Sequence, residues 1–429
     1  ISDKYNNKNL CGAGIVYRFL QALDDYYWTE YADDYLDLVA LANISDVMDM
    51  RSFETRYLVN KGLKNIKNKC LEALIKAQDY SMSGKVNIHH VQWSVTTILN
   101  GMIRVGSYEE KELLFRAFIE QDEFFEYKKR GTKDNPGEVI QESIYDRAAR
   151  LCKNAKSRQD KLRDKAVMKI TEQVETKSDN SKIIVEDVTD ILDSGLTGVV
   201  AIKIADKFNK PCILLKAHTN KRGEVVYGGS ARNMDNSPID SLKDVVNETG
   251  LMLGQGHANA FGIVDLPLYN KDKAIKALNE TLKNVVYDST YYVDFILSDS
   301  DITIPFIYQF EKFESIVAQG IKDPMVAVEN IYLTRDQIEI FGKNEDTISF
   351  IINDVKYIMF KCQESNSLYS WCQNAWSDDD SIMITIVGMP SINDYGGIKT
   401  AQIVISDVNV LEETDHNSDN SNDDDDAWQ

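Results

Sequence analysis

The chain has 429 residues, 43% of them hydrophobic and 27% charged, and its formal net charge is −20. This composition suffices for roughly two to four domains, and the acidic balance argues against a protein that coats nucleic acid over its whole surface. One local basic groove would still bind a phosphate backbone.

Apolar runs and cysteine spacing bear on where the protein is located and on whether it forms disulfides. No apolar run approaches the roughly 20 residues that span a bilayer, and the N-terminal segment lacks a signal pattern, so we expect a cytoplasmic protein without a membrane partner. The six cysteines are scattered without a C-x-x-C pair. This spacing predicts reduced, mostly buried thiols and neither a disulfide framework nor a zinc site.

The first elements in chain order are a glycine-rich turn and an apolar run. Gly12-Ala13-Gly14 precedes a stretch with helical periodicity, and "YLDLVALANISDVMDM" reads as a strand that ends near Asp46. Short apolar runs between helical patterns predict α/β organisation. A carboxylate at the end of a strand is well placed to bind a metal or act as a base, although capping of the next helix is the alternative.

The middle of the chain predicts helices. Residues 86–130 are mainly helical in pattern, and residues 130–138 break that pattern with glycine and proline. From about residue 139 to residue 175 the chain is rich in helix formers, with sparse apolar positions among charged ones. This composition is typical of a long helix that bridges two domains.

A second α/β unit follows, and then a strand-rich segment. Strands are predicted for "KIIVEDV", "PCILLKA" and "EVVYGGSARN", the last running into a glycine turn, and helices for "GLTGVVAIKIADKF" and "DSLKDVVNETGLM". Short β-rich stretches after about residue 325 indicate a small barrel or sandwich. Residues 412–429 are acidic and of low complexity, so we expect a disordered tail.

These motifs resemble, in order, the RecJ branch of the DHH phosphoesterase family. "NLCGAGIVYRFLQAL" and "YLDLVALANISDVMDM" resemble a helix opened by G-A-G and a strand that ends in a metal-binding Asp, which is Asp46 here, with Ser45 where the family has Ala. "SVTTILNGMIRVGS" resembles the P-x-x-N-A-x-G-R-x-G segment; it retains Asn100 and Arg104, with Thr97 where proline is usual.

The downstream half carries the same resemblance. "GGSARN" and "GQGHANAFG" resemble the substrate-binding face of the DHH-associated domain, which implies phosphate contacts from Ser230 and Arg232 and a contact near the scissile phosphate from His257. Gln255 and Phe261 depart from the family pattern and could reshape the pocket. "PSINDYGGIKTAQIVISD" resembles the last strand of the family's OB-fold, in which Tyr357, Phe360, Tyr369 and Trp371 are candidates for stacking on bases.

The resemblance implies an α/β fold with four segments and a tail. They are the C-terminal part of a DHH domain (1–130), a long connecting helix (131–180), a DHH-associated substrate-binding domain (181–320), a β-barrel OB-fold (321–411) and a disordered acidic tail (412–429). The implied catalytic residues are Asp46 and His257, with Asp46 also a metal ligand. The implied substrate-binding residues are Gly12, Gly14, Asn100, Arg104, Ser230, Arg232, Gly256 and His257.

The implied activity is two-metal hydrolysis of single-stranded DNA from the 5′ end, with Mn²⁺ or Mg²⁺, in repair and recombination. The family's D-x-D-x-D-G and D-H-H motifs do not occur in the sequence, and His89-His90 is interpreted as structural. We therefore expect an N-terminally truncated chain that is inactive alone. The alternatives are a DHH phosphodiesterase for short oligonucleotides or cyclic dinucleotides, and a non-catalytic scaffold in a replication complex. The acidic tail predicts either a solubilising segment or a docking peptide for a single-strand-binding or replication protein.

Overall fold

A computed structural model describes residues 4–82, 84–129, 131, 137–177, 180–234, 236–287, 290–362, 366–375, 377, 380–395 and 398–414. The helices are α1 Gly12–Tyr27, α2 Leu36–Ser45, α3 Phe53–Leu63, α4 Lys69–Ala77, α5 Asp79–Met82, α6 Ile88–His90, α7 Thr96–Val105, α8 Tyr108–Phe118, α9 Ile144–Lys177, α10 Thr197–Phe208, α11 Leu242–Glu248, α12 Lys271–Thr281, α13 Ile304–Gln309 and α14 Ser367–Asn374. The strands are β1 Phe124–Lys128, β2 Val139–Ser143, β3 Ile184–Asp187, β4 Cys212–Thr219, β5 Val225–Arg232, β6 Leu253–Gly256, β7 Ala260–Pro267, β8 Phe295–Ser298, β9 Val326–Thr334, β10 Glu339–Phe341, β11 Thr347–Ile352, β12 Val355–Phe360, β13 Ser381–Tyr395 and β14 Ile398–Thr414.

The chain divides into two compact units. The first unit comprises Ile1–Lys67, Gln78–Ser94 and Tyr291–Gln429, and the second comprises Asn68–Ala77 and Val95–Thr290. The domain boundaries predicted from the sequence divide the chain at other points and stay predictions. Each unit has its own sheet and core, and each is described by itself below.

The N-terminal part of the first unit is helical where a strand was expected. The run that precedes Asp46 forms α2, and Asp46 follows its last residue as the C-cap, so the strand prediction is wrong. Seven of the ten residues of α2 are buried, including the polar Asp37 and Asn43. A short helix that is buried on nearly all sides has no polar face, and its sequence cannot be told from that of a buried strand.

The first unit also contains a seven-stranded sheet in the order β10-β11-β12-β14-β13-β9-β8. Most neighbours are antiparallel, whereas β12 with β14 and β8 with β9 are parallel. Tyr357 and Trp371 are 0% and 6% exposed in the core of this sheet, so the stacking role predicted for them is wrong. Phe360 is 53% exposed, and Tyr369 is partly buried against the core.

The C-terminal end of this sheet bears on the predicted tail. Strand β14 extends to Thr414 and pairs with β13 along its length. The expectation of disorder from residue 412 is therefore wrong for residues 412–414, while residues 415–429 lie outside the described residues.

The long helix of the second unit is α9, which spans 34 residues. It packs against α4, α7, α8 and α10. It begins at Ile144 rather than at residue 139, because Val139–Ser143 pairs with Phe124–Lys128 as an antiparallel hairpin.

The second unit's sheet has the order β3-β4-β5-β7-β6. One apolar cluster packs α11 and α12 on this sheet, and another packs α9 and α10 on it. Gly228 and Gly229 lie inside β5 rather than in a turn, so that part of the prediction is wrong. The bulge between Tyr227 and Gly229 in the pairing with β7 accommodates the two glycines within the strand.

Other expectations about the chain can be compared directly with the structure. The mixed α/β class is confirmed by the seven-stranded and five-stranded sheets and the helices that pack on them. All six cysteines are buried free thiols, as predicted. Among the described residues, no helix has both the length and the apolar composition needed to cross a bilayer.

Candidate anion-binding site

Arg104 lies on the last turn of α7, in the second unit. Asn100 is one helical turn before it on the same helix, and positions four apart share a face. Helix α7 lies close against α9, since a Cβ at Gly101 would come within 2.8 Å of Lys156 Cα. This glycine contact holds α7, and with it Arg104, on the long helix.

Arg232 ends β5 and lies over the start of α10. A Cβ at Gly198, the second residue of α10, would come within 2.6 Å of Arg232 Nη2. Ser230, two residues earlier on the same face of β5, shares a hydrogen bond with Thr197, with 2.8 Å between the two hydroxyl oxygens. The guanidinium and two hydroxyls therefore meet at the start of α10, at a place that we call the cradle.

Arg104 belongs to the electrostatics of this cradle. Burial lowers the pKa of Arg104, and burial together with the charge of Arg104 lowers the pKa of Arg232. Both groups remain cationic at neutral pH because a guanidinium does not lose its proton in proteins. In the part of the chain that the structure describes, neither pairs with a carboxylate, and Arg232 Nη1 donates only to the carbonyl oxygen of Ala231, at 2.7 Å.

Two arginine charges that act on each other near the start of α10 favour an anion at this place. The Thr197 N–H donates to Ser194 O in the 3-10 turn that precedes α10, so partial positive charge at the helix start comes from the helix dipole rather than from a free Thr197 amide. Planar guanidinium groups match the oxygens of a phosphate. The geometry therefore favours a phosphate group as the ligand of the cradle.

His257 lies in the turn between β6 and β7, next to this site in the sheet register. Arg232 pairs with Ala260 at the start of β7, and the His257 N–H donates to Ala260 O at 3.2 Å. Gly256 has φ +136°, and a Cβ there would lie 3.0 Å from Phe261 Cα, so the turn requires glycine. His257 itself is exposed.

Residues that the sequence motifs did not single out hold this turn. Buried Asn233 donates to Asn259 Oδ1 at 3.0 Å and to Ile239 O at 3.0 Å. Lys243 Nζ donates to Gly256 O at 3.0 Å. Asn233 and Asn259 stand within "GGSARN" and "GQGHANAFG", so their position beside motif residues was the available signal.

The two departures from the family pattern in this region do not line the cradle. Phe261 is 3% exposed and belongs to the core of the five-stranded sheet. Gln255 pairs with Gly262 in the β6–β7 ladder. The ring of Phe261 explains why residue 254 is glycine, because a Cβ at Gly254 would lie 2.7 Å from that ring.

Gly12, Gly14 and Asp46 lie in the first unit. Helix α1 begins at Gly12, as predicted. The side chain of Asn43 on α2 accepts from Cys11 N at 3.2 Å, and a Cβ at Gly14 would lie 3.4 Å from Asn43 Nδ2. Burial raises the pKa of the Cys11 thiol at the start of α1, and the charge of Asp46 at the end of α2 adds to that rise. The end of α2 therefore lies near the start of α1.

The described residues offer a divalent metal only one predicted ligand. Asp46 is exposed, and no cluster of three or more His, Cys, Asp or Glu side chains among the described residues could hold an ion. His90 Nδ1 lies 2.9 Å from Asn87 Oδ1, and the His89 ring contacts the rings of His90 and Trp93. These packing contacts agree with the structural role predicted for the two histidines.

Comparison with known proteins gives the family. No protein-family model matches the chain. A Bacillus subtilis protein provisionally named SPbeta prophage-derived single-strand DNA-specific exonuclease YorK is 34% identical over 415 residues, covering 96% of this chain and 70% of that protein. The chain belongs to the family of RecJ-like single-strand-DNA-specific exonucleases. The resemblance predicted from the sequence is thereby confirmed.

More distant relatives agree. The single-stranded-DNA-specific exonuclease RecJ of Bacillus subtilis is 25% identical over 423 residues, covering 95% of this chain and 48% of that protein. Crystal structures of Thermus thermophilus RecJ with Mn²⁺ and with Mg²⁺ match with TM-scores of 0.69 and 0.68 at 18% identity. Each covers 96% of this chain, which represents 55% and 57% of the respective RecJ chain, and shows the same fold. The two ions are those predicted for the family.

Proposed function

We propose that this RecJ-like chain takes part in the exonucleolytic degradation of single-stranded DNA, from the 5′ end, in repair and recombination. The observation that carries the proposal is the cradle, where the Arg232 guanidinium lies over the start of α10 and the charge of Arg104 acts on it. Neither arginine has a carboxylate partner among the described residues. A phosphodiester of the strand is the anion that fits both the charge and the donors.

Each predicted residue has a role in this proposal. Arg104, Arg232 and Ser230 hold phosphate oxygens, and Asn100 lies on the same face of α7 as Arg104. Exposed His257, on the turn fixed by Gly256, contacts the strand near the bond that is cut. Gly12 and Gly14 are proposed to contact the strand at the start of α1, where a Cβ at Gly12 would meet no atom within 4 Å and a Cβ at Gly14 would lie 3.1 Å from Leu10 Cδ2.

Asp46 is proposed as one carboxylate ligand of a divalent ion, Mn²⁺ or Mg²⁺. Divalent ions in phosphodiesterases activate a water and stabilise the leaving oxygen. Asp46 supplies one coordination position, and the other described residues do not complete a site. The contribution of this chain that the structure supports is therefore the binding and positioning of the strand.

Three finer predictions belong to the same proposal. The strand-rich segment 321–411 is proposed as an OB-fold, supported by the long β13–β14 hairpin with register shifts at Met383/Ile384 and Val387/Gly388, since such bulges bend strands. The acidic residues at 412–429 are proposed to dock a basic single-strand-binding or replication protein. A cytoplasmic location is proposed with it.

The test is the ligand preference of the cradle. We would measure the fluorescence anisotropy of a 5′-phosphorylated oligo(dT) with the chain, and compete with a duplex and with a dinucleotide. The proposal expects tight binding of the long single strand, and a loss of about tenfold or more for Arg232→Ala, because one charge-assisted contact contributes about 1.5–3 kcal/mol.

The matched control is Arg222→Ala. Arg222 is an exposed arginine in the β4–β5 turn, and its replacement by alanine removes the same charge as Arg232→Ala. Binding that prefers the dinucleotide would support the alternative of a phosphodiesterase for short oligonucleotides. Equal losses for the two arginine variants would show a general charge effect and overturn the assignment of the cradle.

A further inference from the structure

A groove of about 340 Å³ lies in the second unit, between α9 and the segment that precedes α10. One wall is α9, with Leu162, Lys165 and Lys169. The other wall is the segment 189–196, and Lys216 of β4 also lines the groove. None of its lining residues belongs to the cradle described above.

The groove concentrates unpaired positive charge. Lys165 and Lys169 are exposed, stand one helical turn apart, and form no ion pair with any described residue. Lys216 Nζ donates to Thr189 O at 2.9 Å and to Leu192 O at 2.8 Å, which leaves the third ammonium hydrogen available. A carbonyl pair does not neutralise an ammonium group, so the groove keeps three cationic charges.

Three other basic residues of α9 are held in ion pairs. Arg150 pairs with Glu142 at 2.7 Å and Arg158 with Glu110 at 2.6 Å. Lys156 pairs with Asp160 at 2.5 Å. Against these paired neighbours, the unpaired Lys165 and Lys169 mark the groove as a place where an external anion would be stabilised.

Two carboxylates also lie at the groove. Asp190 and Asp193 line its other wall and are exposed. In the described structure neither forms an ion pair with the three lysines. The two carboxylates reduce the formal charge of the groove from three positive to one positive (3 − 2), so an anion would bind against α9 and Lys216 rather than against the 190–193 wall.

The groove adjoins the cradle along the chain. Leu196 lines the groove, and the next two residues, Thr197 and Gly198, lie beneath Ser230 and Arg232. A ligand with regularly repeated phosphates could therefore occupy both places at once. A single phosphate or a dinucleotide held by the cradle would not need the lysines.

We propose that Lys165, Lys169 and Lys216 form a second phosphate-binding site for the same single strand, adjoining the phosphate held by Arg104 and Arg232. This inference rests on the proposed function and extends the substrate path along α9. The lysines are expected to bind phosphate irrespective of the base sequence, because flexible ammonium groups act as point charges on phosphate.

The experiment is a salt titration of binding with two ligands. Anisotropy would be measured for a long oligo(dT) and for a 5′-phosphorylated dinucleotide, with the unsubstituted chain and with Lys165→Gln/Lys169→Gln. For single strands each neutralised phosphate contributes about 0.7 to the slope of log K against log salt. We expect the slope for oligo(dT) to fall by about 1.4 with two lysines removed, and dinucleotide affinity to stay unchanged.

The control variant is Lys273→Gln/Lys276→Gln. These lysines are exposed on α12 of the same unit, away from the groove's lining, and their replacement makes the same change in net charge. If Lys165→Gln/Lys169→Gln leaves the slope for oligo(dT) unchanged while Arg232→Ala still weakens binding, the second phosphate-binding site is wrong and the proposed function stands. If Arg232→Ala also bound as tightly as the unsubstituted chain, the proposed function would fail and the groove with it.

Discussion

A substitution at Gly198 is expected to change the affinity for DNA without lowering the stability of the fold. At this position a Cβ would lie 2.6 Å from Arg232 Nη2 and 3.2 Å from Arg232 Cζ. To restore an ordinary contact of 3.4 Å, the guanidinium must move by 0.8 Å (3.4 − 2.6). The end of an arginine side chain can move that far at little cost to the fold, but it then leaves its place in the cradle.

The expected magnitude follows from the contact that is displaced. A charge-assisted hydrogen bond contributes about 1.5–3 kcal/mol, and about 1.4 kcal/mol is tenfold in affinity. Gly198→Ala should therefore weaken binding of single-stranded DNA by roughly ten- to a hundredfold. Its stability should not fall, because alanine is favoured over glycine in a helix by up to about 1 kcal/mol.

The assay pairs anisotropy with thermal unfolding, and the control is Gly195→Ala. At Gly195 the nearest atom to a new Cβ is Arg104 O at 3.4 Å, an ordinary contact. We predict that Gly198→Ala loses affinity with an unchanged or higher melting temperature, while Gly195→Ala keeps its affinity. Unchanged affinity for Gly198→Ala would refute the placement of Arg232 over α10.

Three further predictions concern other parts of the chain. Asn233→Ala leaves Ile239 O and Met234 N without the partners they have now. We expect the free energy of unfolding in urea to fall by about 1–3 kcal/mol, and an unchanged unfolding midpoint would contradict the role of Asn233 in holding the β6–β7 turn. Burial raises the pKa of Asp187, but hydroxyl donors from Thr189 and Tyr227, each at 2.5 Å, outweigh it and hold the pKa below its ordinary value. The stability from Asp187 is therefore present above the ordinary Asp range and lost as pH falls through the lowered pKa, so Asp187→Asn should destabilise at neutral pH by about 1 kcal/mol, and a pH series of unfolding curves should show the difference vanishing in acid. In a protein that joins this chain to a segment with the family's D-x-D-x-D-G and D-H-H motifs, Asp46→Asn should abolish Mn²⁺-dependent release of nucleotides while leaving anisotropy unchanged, and undiminished release would remove Asp46 from the metal site.

The motifs singled out three residues of the cradle, and their role in binding stays a prediction. Arg104, Ser230 and Arg232 come from segments far apart in the chain, yet the structure places them in one unit, with Arg104 close enough to lower the pKa of Arg232. Thr197 and Gly198 could not be predicted, because their part depends on how α10 packs on β5. That packing is a tertiary fact which local periodicity does not contain.

Burial explains the main errors. Helix α2 was predicted as a strand because its apolar residues face protein on nearly all sides. Tyr357 stacks on Phe350 at 4.9 Å inside the core, where composition alone could not distinguish it from an exposed aromatic. Asp46 as a metal ligand stays a prediction, since the described residues supply no companions for it.

The most direct test of the account is the salt dependence of binding to single-stranded DNA with and without both cradle arginines. Arg104→Ala/Arg232→Ala should lower the slope of log K against log salt by about 1.4, as two phosphate contacts are lost. It should also weaken binding while the thermal unfolding transition is retained. A slope and an affinity equal to those of the unsubstituted chain would contradict the claim that this cradle binds the DNA backbone.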